Sequence, residues 1–417
     1  MGGVGLGKGM RGFASGPALG GVFKFQISTT GDGETFTLPI FGGGAGYVQN
    51  FVVSWGDTTS SDITSFDDPD RVHSYATAGT YNIQITGVCE WFAFENIGDK
   101  TKIKKLLSST GNVGFKVLNF YGCSALNTLV ALNCGSLMTA ENMFYGCTSL
   151  TTLPTGLFDA CTGITNFKLT FYGCTGLTTL PADLFRYNVL ATDFTLIFGG
   201  CTGLTAIPEV LFKYNTSATI FSSMFNLCSG ITVIPANLFR YNTAVTSFSA
   251  TFGASGVTSI PVDLFRYNTA VTSFQGTFTY SKVATFSADT FRYNTLVTDF
   301  SSLFKYDTSL TSIPVDVFKY NTKVTTFDGT FSNCSSLTGV LDGNIFLNCP
   351  LVTTFGSTFR STKLTGSGWG SGAVPETVPN TIIYNAEHQP TPPTVKATCF
   401  RQTSPYYFTN YLSIPVA

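Results

Sequence analysis

Between residues 120 and 359 phenylalanine returns at a nearly constant interval of 26 to 28 residues, and the rest of the pattern is organised around it. One series is Phe158, Phe185, Phe212, Phe239, Phe265, Phe291, Phe318 and Phe346, opening segments such as FRYNTAVTSF and FKYNTKVTTF. A second interleaves with it: Phe171, Phe198, Phe225, Phe252, Phe278, Phe304, Phe331 and Phe359. Shorter relatives end at Phe120 and Phe144, each followed by YGC. A single unit buries only a strip of Leu and Phe, too little against roughly 1–2 kcal/mol of backbone entropy per residue, so about ten units must stack to share a core.

Within the second series apolar or small residues alternate: Phe248, Ala250, Phe252; Phe274, Gly276, Phe278; Phe327, Gly329, Phe331. Period two predicts a strand with one buried face. Its outward face then carries Ser222, Ser249, Thr251, Gln275, Thr277, Ser301, Asp328 and Thr330. Three residues past the last Phe stands Cys174, Cys201, Cys228 or Cys334, followed by segments such as CTGLTTLPADLF. Pro154, Pro181, Pro208, Pro235, Pro261 and Pro314 fall just after this exit, where a missing N–H ends ladder pairing. Asp263 to Asn268 then has the spacing of a short helix or 3₁₀ turn, with Asp263 and Arg266 at i, i+3. In this segment Cys161 and Cys349 replace the Asn of the other units, so thiol and amide do one structural job there.

Ahead of the array, residues 23–40, 48–62 and 73–87 alternate as strands with Gly-Asp turns and predict a β-sandwich. The expected organisation is a Gly-rich arm over 1–21, the β-sandwich over 22–108, the array over 109–364 and a cap or docking tail over 365–417. The expected fold is mainly β: a leucine-rich-repeat-like solenoid of parallel strands and short convex helical turns, behind an immunoglobulin-like sandwich.

Composition narrows the function. A net charge of −1 with 11% charged residues argues against an electrostatic grip on nucleic acid. No stretch approaches the ~18–20 apolar residues of a membrane span, and Met1 to Gly21 does not read as a signal peptide. Eleven cysteines, most at equivalent positions of the repeat, point to free thiols and a reducing compartment. Catalysis finds little to work with: the two histidines, His73 and His388, lie in different end regions, so no enzyme, cofactor or metal site is expected. The acidic loop of Asp57, Asp62, Asp67, Asp68 and Asp70 has the oxygen ligands a calcium ion takes, but reads better as a solvated loop. Arg186, Lys213, Arg240, Arg266, Arg292 and Lys319, each followed by Tyr, would stack into a basic and aromatic stripe. Asp183, Glu209, Asp263, Asp289 and Asp316, three or four residues earlier, can neutralise it. The hydroxyl-rich strand face is the remaining candidate for a protein or glycan ligand, with a plain solvated face equally open. Ile197, Met224 and Leu303 interrupt its columns, against an ice-binding lattice.

Two resemblances follow from these segments. Trp55-Gly56-Asp57, His73-Ser-Tyr75 and Gly79-Thr-Tyr81-Asn-Ile-Gln-Ile resemble a PKD-type immunoglobulin-like module, although Thr58 stands where the usual WGDG has its second Gly. The array, as LxxIPxxLFxYNTxVTxFxxTF, resembles the BspA-like leucine-rich-repeat surface proteins. The resemblance implies a non-enzymatic adhesion protein. The reading drawn from it is a bacteriophage virion component, a tail fibre, appendage or capsid decoration, assembled in the host cytoplasm. It would touch other virion proteins through the two ends and a host surface protein or glycan through the array, with homo-oligomerisation left open. A bacterial cell-surface adhesin is the alternative.

Overall fold

The structure, a computed structural model, describes residues 20–41, 46–341 and 345–365. Most of the Gly-rich arm and the tail beyond residue 365, with His388, lie outside the described residues.

The N-terminal strands form where the alternation is cleanest. In β1 (Val22–Thr29) Phe23, Phe25 and Ile27 are buried and their neighbours are not. β2 (Glu34–Thr37), β3 (Gln49–Ser54), β4 (Ser60–Ile63), β5 (Val72–Tyr75), β6 (Gly79–Cys89), β7 (Trp91–Ala93), β8 (Ile103–Thr110) and β9 (Val117–Asn119) follow. Five make one antiparallel sheet in the order β4-β3-β6-β1-β8, and β2 pairs with β5 beside it. The segments singled out in the sequence pack together: Trp55 stacks on His73 with centroids 4.7 Å apart, His73 Nε2 lies 2.7 Å from Asp57, and the Tyr75 hydroxyl donates to Trp55 O. His73 is thereby held as a packing residue.

This sheet runs on into the array. Lys105 of β8 bridges in parallel to Thr128, and Leu106 N donates to Thr128 O at 2.9 Å. β7 pairs in parallel with β9, and Phe94 N donates to Asn119 O. Phe94 packs against Phe120 with the rings 6.3 Å apart and tilted by 41°, and the column of stacked phenylalanines runs from Phe120 to Phe359. Buried side chains form one continuous cluster from Phe23 to Leu364.

The expected strand Phe248 to Phe252 does not form. Ala250 lies at φ 53°, and the equivalent Leu169, Leu196, Ser223, Gly276, Ser302 and Gly329 lie between 55° and 64°. A left-handed residue turns the chain, so the small side chain favoured there serves this backbone state and not an inward-facing strand position. Pairing between units survives in another form. The N–H groups of Phe248, Ala250, Phe252 and Ala254 donate forward to Ser273, Gln275, Thr277 and Thr279, while those of Thr251, Gly253 and Ser255 close local turns on the carbonyls three residues back. Isolated parallel bridges from Thr139 through Asn166, Asp193, Ile220, Ser247, Ser273, Asp299 and Thr326 to Thr354 mark the same seam.

The convex side is likewise built from turns. Arg266 N donates to Asp263 O and Asn268 N to Phe265 O, the i to i+3 pattern, without a helix. Among the described residues the helical element is the three-residue 3₁₀ helix Pro69–Arg71, so the class is mainly β with almost no helix. The last regular pairing is β10 (Thr338–Val340) with β11 (Lys363–Thr365), in parallel.

Three phenylalanine columns run through the array, and most of their carbonyls accept a local backbone N–H from three residues on, as Phe239 O does from Asn242 N and Phe248 O from Thr251 N. A second donor reaches many of them: the side chain three residues after the equivalent Phe of the next unit, wherever it is Cys, Asn or Thr. Cys174 Sγ donates to Phe144 O at 3.1 Å, Cys201 to Phe171 O and Cys228 to Phe198 O. Asn215 Nδ2 donates to Phe185 O and Asn242 Nδ2 to Phe212 O; each also reaches the carbonyl of the Asn one unit before. Thr251 Oγ1 donates to Phe221 O and Thr330 Oγ1 to Phe300 O. Cys349 Sγ reaches Phe318 O and Asn321 O in the Asn column, so thiol and amide share that job.

Free cysteines were expected throughout, and here a correction is required. Cys134 and Cys161 form a disulfide across 27 residues with Cα atoms 4.9 Å apart. Both occupy the Asn column in adjacent units, and the distance between stacked units lies within reach of a disulfide. Cys89, Cys123, Cys147, Cys174, Cys201, Cys228, Cys334 and Cys349 are free and buried.

Asn268→Ala removes the side-chain donor shared by Phe239 O and Asn242 O, each of which keeps a backbone donor, Asn242 N and Val245 N. It is expected to cost about 1–3 kcal/mol, at ~0.5–1.5 kcal/mol for each of the two hydrogen bonds lost. Asn268→Cys, which copies Cys349, should cost clearly less in urea denaturation. Equal losses for the two would show that the side-chain donor is not what the column requires.

Candidate functional site

The proposed ligand face divides in two. Gln275 and Asp328 are exposed, and Ser222, Ser249 and Ser301 half-buried, one unit apart at a single position of the repeat. Thr251, Thr277 and Thr330 are fully buried, which corrects the outward position expected for them. The left-handed residue before each threonine rotates it inward, where its hydroxyl donates to the carbonyls of two phenylalanines: Phe221 and Phe248 for Thr251, Phe248 and Phe274 for Thr277, Phe300 and Phe327 for Thr330. Ile197, Met224 and Leu303, taken above as interruptions of a surface lattice, are the apolar members of this same buried column.

Two residues earlier in each unit, the bridge-forming residue caps the turn. Ser249 N is capped by Ser247 Oγ, Gln275 N by Ser273 Oγ, Ser301 N by Asp299 Oδ1 at 2.7 Å, and Asp328 N by Thr326 Oγ1. These are Asx- and ST-turn bonds. Hydroxyls link along the array as well, from Ser222 to Ser247, Ser249 and Ser273, at 2.9–3.3 Å, and on to Asp299 at 3.4 Å. Burial pushes the Asp328 carboxyl up, and the nearby Lys305 pulls it back down without cancelling this.

The basic and aromatic stripe is consumed by its own stacking. Arg186 lies over Tyr187 and Tyr214, Arg240 over Tyr241 and Tyr267, Arg266 over Tyr267 and Tyr293, with cation to centroid distances of 5.1–6.0 Å. Tyr267 and its equivalents therefore meet cations from two units. Arg266, Arg292 and Lys319 also pair with Asp263, Asp289 and Asp316 at 3.4–3.5 Å.

The cysteine column offers no nucleophile or thiolate ligand. Burial pushes the thiols of Cys147, Cys174 and Cys201 well above their ordinary range and that of Cys228 up to about 12, so they stay protonated and serve as donors. In the acidic loop, Asp57 accepts from Thr59, Asp67 from Ser65, and Asp68 from Thr64 and Asp70 N. A cavity of about 540 Å³ lies where the N-terminal sheet meets the first unit, walled by Leu38, Ile40, Phe41, Trp91, Phe94 and Ile97. The buried Trp91 Nε1 has no hydrogen-bond partner among the described residues.

One column escaped sequence reasoning. Two residues past the second-series Phe, each unit places a residue at positive φ: Gly122, Gly146, Gly173 and Gly200, then Leu227, Ala254, Tyr280, Tyr306 and Asn333. Glycine takes this conformation freely, while side-chain-bearing residues held there cost of order 1–3 kcal/mol each. Tyr280 and Tyr306 stack with centroids 4.5 Å apart and planes 8° apart, and Tyr280 is 57% exposed. The available signal was FTYS and FKYD in place of FYGC, where tyrosine takes the place of glycine.

No protein-family model matches the chain, and no curated protein matches it. Among solved structures it is similar to a chain of the Toll–Spatzle complex of Drosophila, at 15% identity over 60% of this chain and 37% of that one, with a TM-score of 0.34. It is also similar to TLR13 in its complex with ssRNA13, at 14% identity over 62% of this chain and 32% of that one, with a TM-score of 0.38. The chain spans about a third of the length of these two solved chains.

Thr251→Val keeps the shape of a buried side chain but removes its hydroxyl. It is expected to lower stability by about 1–2 kcal/mol, as for one hydrogen bond lost to buried carbonyls, and to leave any ligand retention unchanged. Reduced retention at unchanged stability would return the threonine to the ligand face.

Proposed function

We propose that this chain is a non-enzymatic adhesion protein of a bacteriophage virion, a tail fibre, appendage or capsid decoration, that offers one face of its array to a host surface protein or glycan. The observation that carries the adhesion reading is the row Ser222, Ser249, Gln275, Ser301 and Asp328: one accessible polar side chain per unit, at a position of the repeat that need not fill the core. A row with this regular spacing suits an extended or repetitive ligand. In this reading the stacked units are a leucine-rich-repeat-like solenoid of the BspA-like type, and residues 22–108 a PKD-like immunoglobulin-type module that closes its first edge. The assignment to a virion rests on the sequence resemblance.

The Cys134–Cys161 bridge bears on the compartment. Disulfides persist on virion and cell surfaces and are rare in the cytosol, so it fits a working life outside the cytoplasm. It also gives weight to the second reading, a bacterial cell-surface adhesin.

Mass spectrometry of purified virions and of the bacterial envelope separates the two. The protein is expected among the particle components; recovery from the envelope and not from particles would replace the first reading with the second. For adhesion itself, Gln275→Ala combined with Asp328→Ala should reduce retention on host cells by about tenfold, the equivalent of ~1.4 kcal/mol, with an unchanged melting temperature. Unchanged retention would remove the row from the binding surface.

A further inference from the structure

The positive-φ column contains a gap with walls. Leu227 is 45% exposed and Tyr280 57% exposed, and between them in the column stands Ala254, a single methyl at φ 52°. Gly253 beside it is closed over by neighbours, since a Cβ there would meet Asn226 Nδ2 at 2.6 Å and Thr279 Cγ2 at 3.2 Å. Two unit steps separate Leu227 from Tyr280, roughly 9–10 Å at the ~4.7–4.9 Å spacing of neighbouring strands. Tyr306 covers one side of Tyr280 at 4.5 Å. On the other side the column has only the Ala254 methyl, so a ring stacked there at the same spacing would lie midway to Leu227 and continue the ladder.

Strain and variation fall on the same units. Earlier units keep glycine at this position, as in Gly146, Gly173 and Gly200, whereas Leu227, Tyr280 and Tyr306 hold large side chains in a conformation that disfavours them. In the cysteine column Ser255, Ser281 and Asp307 replace the thiol in the units of Ala254, Tyr280 and Tyr306, while the units of Leu227 and Asn333 keep Cys228 and Cys334. Stacking of the array explains neither departure, because the units with glycine and cysteine stack equally well.

We propose that the slot over Ala254 binds one pyranose ring of a surface glycan, with its C–H face against Tyr280 and its other side against Leu227. One aromatic wall and one aliphatic wall suit a ring whose faces are C–H and whose edge is hydroxyl. Asn226 and Thr279 lie against Gly253 at the edge of the slot, and the Asn226 amide is the polar group offered there, since the Thr279 hydroxyl donates to Lys305 O. The proposal rests on the adhesion reading and gives it a ligand class and a position.

The test is a glycan array of pyranose-terminated oligosaccharides, neutral and uronic-acid-bearing, probed with the full chain, Tyr280→Ala, Ala254→Leu and Arg266→Ala. Binding to at least one glycan group is expected, with at least a tenfold loss on removing the wall in Tyr280→Ala or filling the slot in Ala254→Leu. Arg266→Ala, which alters the convex stripe, should bind as the parent does. Thermal melting of each variant separates loss of the slot from loss of fold, and a second filling variant, Ala254→Met, serves if Ala254→Leu melts early. No array signal from the parent, or unchanged binding in both slot variants, overturns the proposal. Retention on host cells distinguishes the failures: cells bound without glycan binding sink the slot and spare the adhesion reading, while slot-dependent glycan binding without cell retention does the reverse.

Discussion

Each phenylalanine that enters the core of a unit brings its own carbonyl with it, and a carbonyl in that apolar interior must find a donor or cost about 1–3 kcal/mol. Local backbone N–H groups meet most of this demand, and the array adds a second donor by one rule used in three columns: a donor side chain three residues after the equivalent Phe in the following unit, with Ile197, Met224 and Leu303 as apolar exceptions. Asn, Cys and Thr are the short side chains that can reach back across one unit spacing while remaining buried. This is why Asn242, Cys201 and Thr251 occupy comparable places although they differ chemically. The rule also couples neighbours, because the donor side chain of one unit bonds a carbonyl of the previous unit. The phenylalanine ladders add ring stacking to the same contacts, at 5.5–5.8 Å between successive rings from Phe120 to Phe359.

A stack governed by such contacts has an exposed problem at its first edge, where the unpaired backbone of a terminal unit would template association. The N-terminal sheet meets this need. β8 pairs with β1 on one side and reaches Thr128 on the other, while β7 adds to β9, so the antiparallel sheet hands its hydrogen bonds directly to the parallel seam. Phe23 packs against Phe92, Phe115 and Phe120, which makes the core of the sheet and the core of the first units one body of contacts.

Sequence reading recovered the phenylalanine columns because burial is imposed at every repeat, and recovered the interchange of Cys349 with Asn because the two stand in one register. It misplaced Thr251, Thr277 and Thr330 for a definite reason. A small residue between two phenylalanines is what an alternating strand shows, and also what a left-handed turn residue shows; composition alone does not separate them. The difference of one backbone rotation sends the following threonine to the opposite side. The Cys134–Cys161 bridge lay 27 residues apart in the register of the Asn column, so the geometry was legible once that column was followed through both cysteines.

Because stability in such a stack is nearly a sum of units and of interfaces between neighbours, a departure in one column can be carried by the rest of the array. That separates the residues that build from those free to specialise. A glycine position occupied by Tyr280 is unfavourable for its own backbone, and the ring stack with Tyr306 offsets only part of that cost while leaving one face of Tyr280 open to solvent. A cost borne by the units from Leu227 to Asn333 and absent from those that keep Gly146, Gly173 and Gly200 is not required by the fold. In a molecule where repetition accounts for almost every buried side chain, the departures from repetition are where recognition has room to act.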